Sequence, residues 1–111
     1  MWNYENLDVY HKAHGLILVV YDLSRKFPDS ERYDLTRQVL RAIKSISTNI
    51  VEGSGKRTSR DFVSYLYNAI GSAKEVREHL KVAVGLGYVN EGMVQDVVSD
   101  LRRVEILRGW F

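Results

Sequence analysis

Gln38, Ala42, Ser45, Asn49 and Glu52 follow one another at steps of 4, 3, 4 and 3 residues. On a helix of ~3.6 residues per turn they form one nearly straight, mostly polar stripe. A second stripe runs through Tyr65, Asn68, Ser72, Glu75 and His79 at steps of 3, 4, 3 and 4. Buried polar groups without partners cost roughly 1–3 kcal/mol each, so such stripes must be solvated or matched by another element. Facing each other, they would form a hydrogen-bonded network that sets helix register and a subunit interface, as a seam asparagine does in coiled coils. Arg41 is a natural ionic partner for Glu52 or Glu75, within one chain or between two. An active site at this place would need a polar pocket built from Asn49, Glu52, Glu75 and His79.

Other chemistries find less support. A di-iron site in a helical bundle uses Glu-x-x-His pairs on two helices plus two further carboxylates. The chain has no Glu-x-x-His; Glu75 and His79 are four apart, and His11 and His14 have no glutamate in register beside them. Surface or interface roles suit these histidines better, and no metal or other cofactor is expected. Gly53-Ser-Gly-Lys-Arg57 superficially resembles a phosphate loop, but Ile50 and Arg57 stand where that motif needs glycine and Ser/Thr. Its glycines fit a helix end and a turn instead. There is no cysteine, and no His/Asp pattern selects a serine as nucleophile. No enzyme is expected.

The basic residues make the remaining candidate. Residues 1–60 carry ten Lys/Arg against seven Asp/Glu, whereas residues 61–111 carry six against seven. The excess sits between Arg37 and Arg60, where six cations face only Glu52. Arg37, Arg41 and Lys44 share a helix face at i, i+4 and i+7, and Lys56, Arg57 and Arg60 cluster at the next turn. Repeated around a ring, the two sets would form a charged band that binds phosphate backbones and reads little sequence. The opposing reading is a solvated face partly neutralised by Glu31, Asp34 and Glu52.

Four segments must position these groups. Val9, Ala13, Leu16, Val20, Leu23 and Phe27 step by 4 and 3, with Asp8 as a candidate cap and Pro28 as a stop. Leu35, Val39, Ala42, Ile46, Asn49 and Gly53 repeat the steps, and the helix is expected to end at Gly53. Phe62, Leu66, Ala69, Ala73, Val76, Leu80 and Ala83 give the cleanest heptad, opened by a capping-box-like Thr58-x-x-Asp61 and closed by Gly85 and Gly87. Val94, Val97, Leu101, Val104 and Arg108 follow Asn90, a candidate N-cap. No alternating strand pattern competes. Short connections near 28–32, 54–58 and 86–90 force antiparallel neighbours. The expected fold is one all-α domain over residues 1–111, an antiparallel up-down-up-down four-helix bundle. Tyr10, Ile17, Tyr21, Leu40, Ile43, Ile50, Val63, Tyr67 and Ile70 widen the apolar faces, with Trp110 and Phe111 beyond. Part of that surface is expected to meet another subunit.

Composition sets outer bounds. With 111 residues, 45% hydrophobic and 27% charged, the chain has the make-up of a globular domain. The absence of cysteine suits a reducing cytoplasm. The first residues lack the basic and apolar regions of a signal peptide, and the Leu16–Tyr21 run is too short to span a bilayer.

The chain resembles a bacterial family first noticed as reading frames in intervening sequences of large-subunit rRNA genes, a family also labelled ribosomal. The resemblance is carried by Leu7-Asp-Val-Tyr-His-Lys-Ala13, Phe27-Pro28, Glu31-Arg-Tyr33, Arg41-Ala42, Ser45-Ile46, Asn49-Ile50, Glu52-Gly53, Arg57, Gly71-Ser72, Glu75 and Leu86-Gly-Tyr88. Ser47, Asp34 and Tyr10 depart from residues common there (proline, glycine and tryptophan). The resemblance implies a cytosolic four-helix bundle assembled as a ring-like homo-oligomer, a homopentamer. It extends to the accessory protein of diversity-generating retroelements, a pentameric barrel whose basic surface engages nucleic acid and a reverse transcriptase. It implies no biochemical activity for the rRNA-intervening branch itself. The expected role is a non-enzymatic scaffold that binds RNA or DNA through Arg37, Arg41, Lys44, Lys56, Arg57 and Arg60. The alternative is an oligomer that binds only proteins.

Overall fold

A computed structural model describes residues 2–106. After a 3-10 turn at Tyr4–Asn6 come α1 (Asp8–Ser24), a second 3-10 turn at Asp29–Glu31, α2 (Leu35–Ser54), α3 (Ser59–Gly85) and α4 (Glu91–Glu105). The packed helix pairs are α1–α2, α2–α3, α3–α4 and α1–α4, which is the neighbour pattern of an antiparallel four-helix bundle. The core is one cluster in which the 4,3-spaced residues of all four helices meet, with Val20, Val39, Ile46, Ala69, Val76, Leu80 and Leu101 fully buried.

The helix ends follow from local chemistry. Thr58 caps α3 by accepting the Asp61 N–H at 3.1 Å, and Asn90 caps α4 by accepting the Met93 N–H at 2.9 Å. α3 closes with Gly87 at φ 80°, where the Tyr88 N–H reaches Ala83 O at 2.9 Å and the Gly87 N–H reaches Val84 O at 3.0 Å. That double bond satisfies carbonyls the helix leaves open and needs a left-handed residue, which glycine adopts without a Cβ clash. Two expectations are corrected. Leu7, not Asp8, precedes α1, so Asp8 is the acidic first residue, favourable to the helix dipole rather than a cap. Gly53 does not end α2, which runs on to Ser54 with Gly55 after it.

The apolar faces also divide differently from expectation. Ile43 and Ile50 are buried within the chain's own core cluster and Ile70 is buried outside it, whereas Tyr10, Ile17 and Leu40 are half-buried against the cluster. The exposed large apolar residues include Leu18 and Val19 on α1 and Tyr67 on α3. Trp110 and Phe111, like Leu107 and Arg108, lie outside the described residues.

Polar contacts tie the bundle at its ends. Arg77 grips Glu105 through two parallel hydrogen bonds, one of them Nη2 to Oε1 at 2.7 Å, fastening α3 to the end of α4. That carboxylate holds the guanidinium's pKa above its usual value. At the other end the Tyr88 hydroxyl donates to Glu31 Oε2 at 2.7 Å, and its ring sits 5.8 Å from that of Phe27. This joins the two inter-helix turns. The hydrogen bond to Glu31, with lesser help from desolvation and charge, raises the phenol's pKa. A folded pKa above the unfolded one means that the bond contributes fully below the unfolded value and is lost as pH rises through the folded one. Tyr88→Phe should therefore melt below wild type at neutral pH, and the gap should close above pH ~10. Parallel melting curves across that range test it; a gap that persists at high pH rules out this bond as the source.

Candidate nucleic-acid interface

The site begins with the sidedness of α2. Leu35, Val39, Ala42, Ile43, Ile46 and Ile50 face inward, so the same periodicity puts Arg37, Arg41 and Lys44 on the opposite, exposed surface. The line continues past Thr48 to the turn after Ser54. From Arg37 to Lys56 it covers about 28 Å at 1.5 Å per residue. Arg57 and Arg60 are exposed at that turn, and Lys56 lies with its ammonium 5.1 Å from the centre of the Tyr65 ring, a cation–π contact.

Among the described residues, none of these six cations is in an ion pair. The carboxylates expected to neutralise them are engaged otherwise. Glu31 takes the Tyr88 hydroxyl, and Asp34 accepts the Gln38 side-chain amide at 2.6 Å. Glu52 is exposed and holds no cation. These donors are neutral, so the carboxylates keep their charge, but none of them pairs directly with the six cations among the described residues.

The polar stripes do meet, because α2 and α3 approach closely along them. At one point Ser72 Oγ donates to Ser45 Oγ at 2.9 Å. Asn49 Nδ2 adds bonds to Ser45 O at 2.8 Å and Ser45 Oγ at 3.0 Å. Farther along, a Cβ on Gly53 would stand 2.6 Å from Tyr65 Cβ and 2.9 Å from Phe62 Cδ1, so the helices touch there because Gly53 has no side chain. The stripes do not form one continuous network. Gln38 bonds to Asp34, Glu75 bonds to His79 at 3.2 Å, and Arg41 pairs with neither Glu52 nor Glu75 within the chain. Asn68 is exposed. Asn49→Ala should lower stability by about 1 kcal/mol, since it leaves Ser45 and its carbonyl half-buried with fewer partners. Unchanged melting and unchanged particle size would show that the seam asparagine does no structural work.

Sequence reasoning missed one residue of this region. Trp2 lies more than fifty positions from the basic turn in sequence. Yet its N–H donates to Ser54 O at 2.8 Å, and its ring centre is 5.8 Å from that of Phe62. No local spacing signals this, because the contact depends on where the N-terminal segment crosses the α2–α3 end.

Other sites are poorer. No three metal-ligating side chains converge among the described residues. A groove between α3 and α4 is lined by Val84, Val94 and Val98, with Lys81, Glu91 and Arg102 at its rim. No helix among the described residues is long and apolar enough to cross a membrane.

Comparison with known proteins agrees with this architecture. The family described as 23S rRNA-intervening sequence protein matches residues 5–107. A crystal structure of a protein of unknown function from the S23 ribosomal protein family of Bacteroides thetaiotaomicron superposes with a TM-score of 0.81. The two are 21% identical, and the match covers 89% of this chain and 93% of that one. At that identity the likeness shows the fold alone. No curated protein matches.

Proposed function

Because the chain belongs to the 23S rRNA-intervening sequence protein family, we propose that it acts without catalysis, as a ring-like homopentamer that binds nucleic-acid backbones through the basic line on α2. The observation that carries this reading is the set of six cations, Arg37, Arg41, Lys44, Lys56, Arg57 and Arg60, none of which forms an ion pair among the described residues. One chain's line is short, but a ring presents it once per subunit and so multiplies the phosphate contacts. Assembly is supported by α1, where Leu18 at 66% and Val19 at 45% exposure stand together one turn from Gly15, which has open space around it. In the ring Arg41 gains access to a neighbouring subunit's carboxylates or to phosphate, since it forms no ion pair among the described residues of its own chain.

Size-exclusion chromatography with light scattering tests both parts. A particle of about five subunits should shift with short RNA or DNA at low salt and lose that shift at moderate salt. A pentamer that ignores every nucleic acid would favour the protein-only scaffold, and a stable monomer would remove the ring.

A further inference from the structure

We propose that the groove between α3 and α4 is a binding site for a small monocarboxylate with an unbranched apolar chain, its charged end held between Lys81 and Arg102. The site is separate from the basic line on α2, because α4 packs on α1 and α3, and it does not depend on nucleic-acid binding.

The groove has a volume of about 730 Å³, within the range of roughly 300–1,000 Å³ typical of small-molecule sites. Its register is fixed at one end, where Arg77 on α3 grips Glu105 on α4. Lys81 follows Arg77 by one turn, and Arg102 precedes Glu105 by one turn. The two helices are antiparallel neighbours, so Lys81 and Arg102 line the groove from opposite walls. Both are exposed, and neither forms an ion pair among the described residues. Two like charges that face each other repel unless an anion stands between them. Glu105 is already paired with Arg77. One external carboxylate between the two walls would meet both cations.

The groove beyond them is apolar. Val84 and Val98 are half-buried and Val94 is buried. From Arg102 to Val94 this stretch covers about 12 Å at 1.5 Å per residue. Glu91 stands at the far end, where it disfavours a second negative group. The lining thus runs from a cationic end through an apolar middle to an anionic end, and a chain with a single carboxylate complements that order. A protein partner fits less well. Stable protein interfaces bury about 1,200–2,000 Å² in total, and three valines over so short a run supply little of that. The two cations also converge on one point instead of being spaced along the groove.

Octanoate, whose chain is of comparable length, is the probe. Isothermal titration calorimetry reads its affinity for the full chain, and valine methyl NMR locates it. Octanoate should shift the Val84, Val94 and Val98 methyls and bind about five- to tenfold more tightly than octanol, the effect of two solvent-accessible charge contacts. Octanedioate, with a second carboxylate toward Glu91, should bind more weakly than octanoate. Lys81→Gln should weaken octanoate about threefold and leave melting unchanged. Lys81→Glu with Arg102→Glu should lose octanoate and gain octylammonium, an exchange that a folding defect would not produce. No binding of octanoate, equal binding of octanoate and octanol, or shifts confined to other valines would overturn the proposal. It would also be overturned if octanoate failed to bind and the double reversal dissolved self-association, which would assign the groove to a second copy. Binding of an acidic peptide in place of octanoate would likewise overturn it, in favour of a protein partner.

Discussion

Gly53→Ala is expected to destabilise the protein by about 2 kcal/mol, although alanine is the better helix former. In an open helix the exchange would gain about 1 kcal/mol. Here the added methyl would stand 2.6 Å from Tyr65 Cβ and 2.9 Å from Phe62 Cδ1. The first of these atoms is bonded directly to the α3 backbone, so relief requires moving a helix rather than turning a side chain. Overpacking of that kind costs typically 1–3 kcal/mol, occasionally more, and also separates Ser45 from Ser72. For a domain of this size the melting temperature should fall by about 10 °C. Gly71→Ala makes the control. Gly71 lies inside α3 with nothing within 4 Å of a built Cβ, so its replacement should raise stability by about 0.5–1 kcal/mol. Opposite signs for two Gly→Ala changes in adjacent helices would establish the close approach. A Gly53→Ala protein that melts at or above wild type would refute it.

The double reversal Arg37→Glu with Arg41→Glu should cost the most in binding. Both side chains are exposed, neither is in an ion pair among the described residues, and neither is part of the core, so the fold should survive. Each phosphate contact contributes about 0.7–0.9 to the slope of log K against log salt. Removing two contacts per bound line should lower that slope by about 2 and abolish binding at moderate salt. Arg102→Glu with Arg103→Glu on α4 is the charge-matched control, since both are exposed on a helix that packs on α1 and α3 rather than on α2. Fluorescence anisotropy over a salt series reads both. Equal losses in the two variants would indicate a general charge effect, and no loss in the double reversal would remove the α2 line as the interface.

Several parts of the architecture were legible from residue order. The 4,3 steps of Leu35–Ile46 and Phe62–Ala83 sort inward from outward positions one turn at a time. The same steps place Arg37, Arg41 and Lys44 on the outer surface of α2. Thr58 and Asn90 act within three residues of themselves. Such features depend on helix geometry, which repeats every few residues. The width of the apolar faces was less legible. Composition cannot distinguish Ile43 and Ile50, which the bundle buries, from Leu18, which it leaves in solvent.

What only the tertiary structure decided concerns pairs distant in sequence. Gly53 reads as a helix stop until Tyr65 and Phe62 are seen pressing against it. Asp34 and Glu31 read as ion-pair partners of the basic line until Gln38 and Tyr88 are found bonded to them instead. Trp2 has no visible link to the α2–α3 end until the N-terminal segment reaches Ser54. The physical reason is common to all three. Local periodicity determines which side of a helix a residue occupies, and it did so here from the sequence alone. Partners across the bundle depend on register and on the path of the loops, which are set when all four apolar faces are buried together.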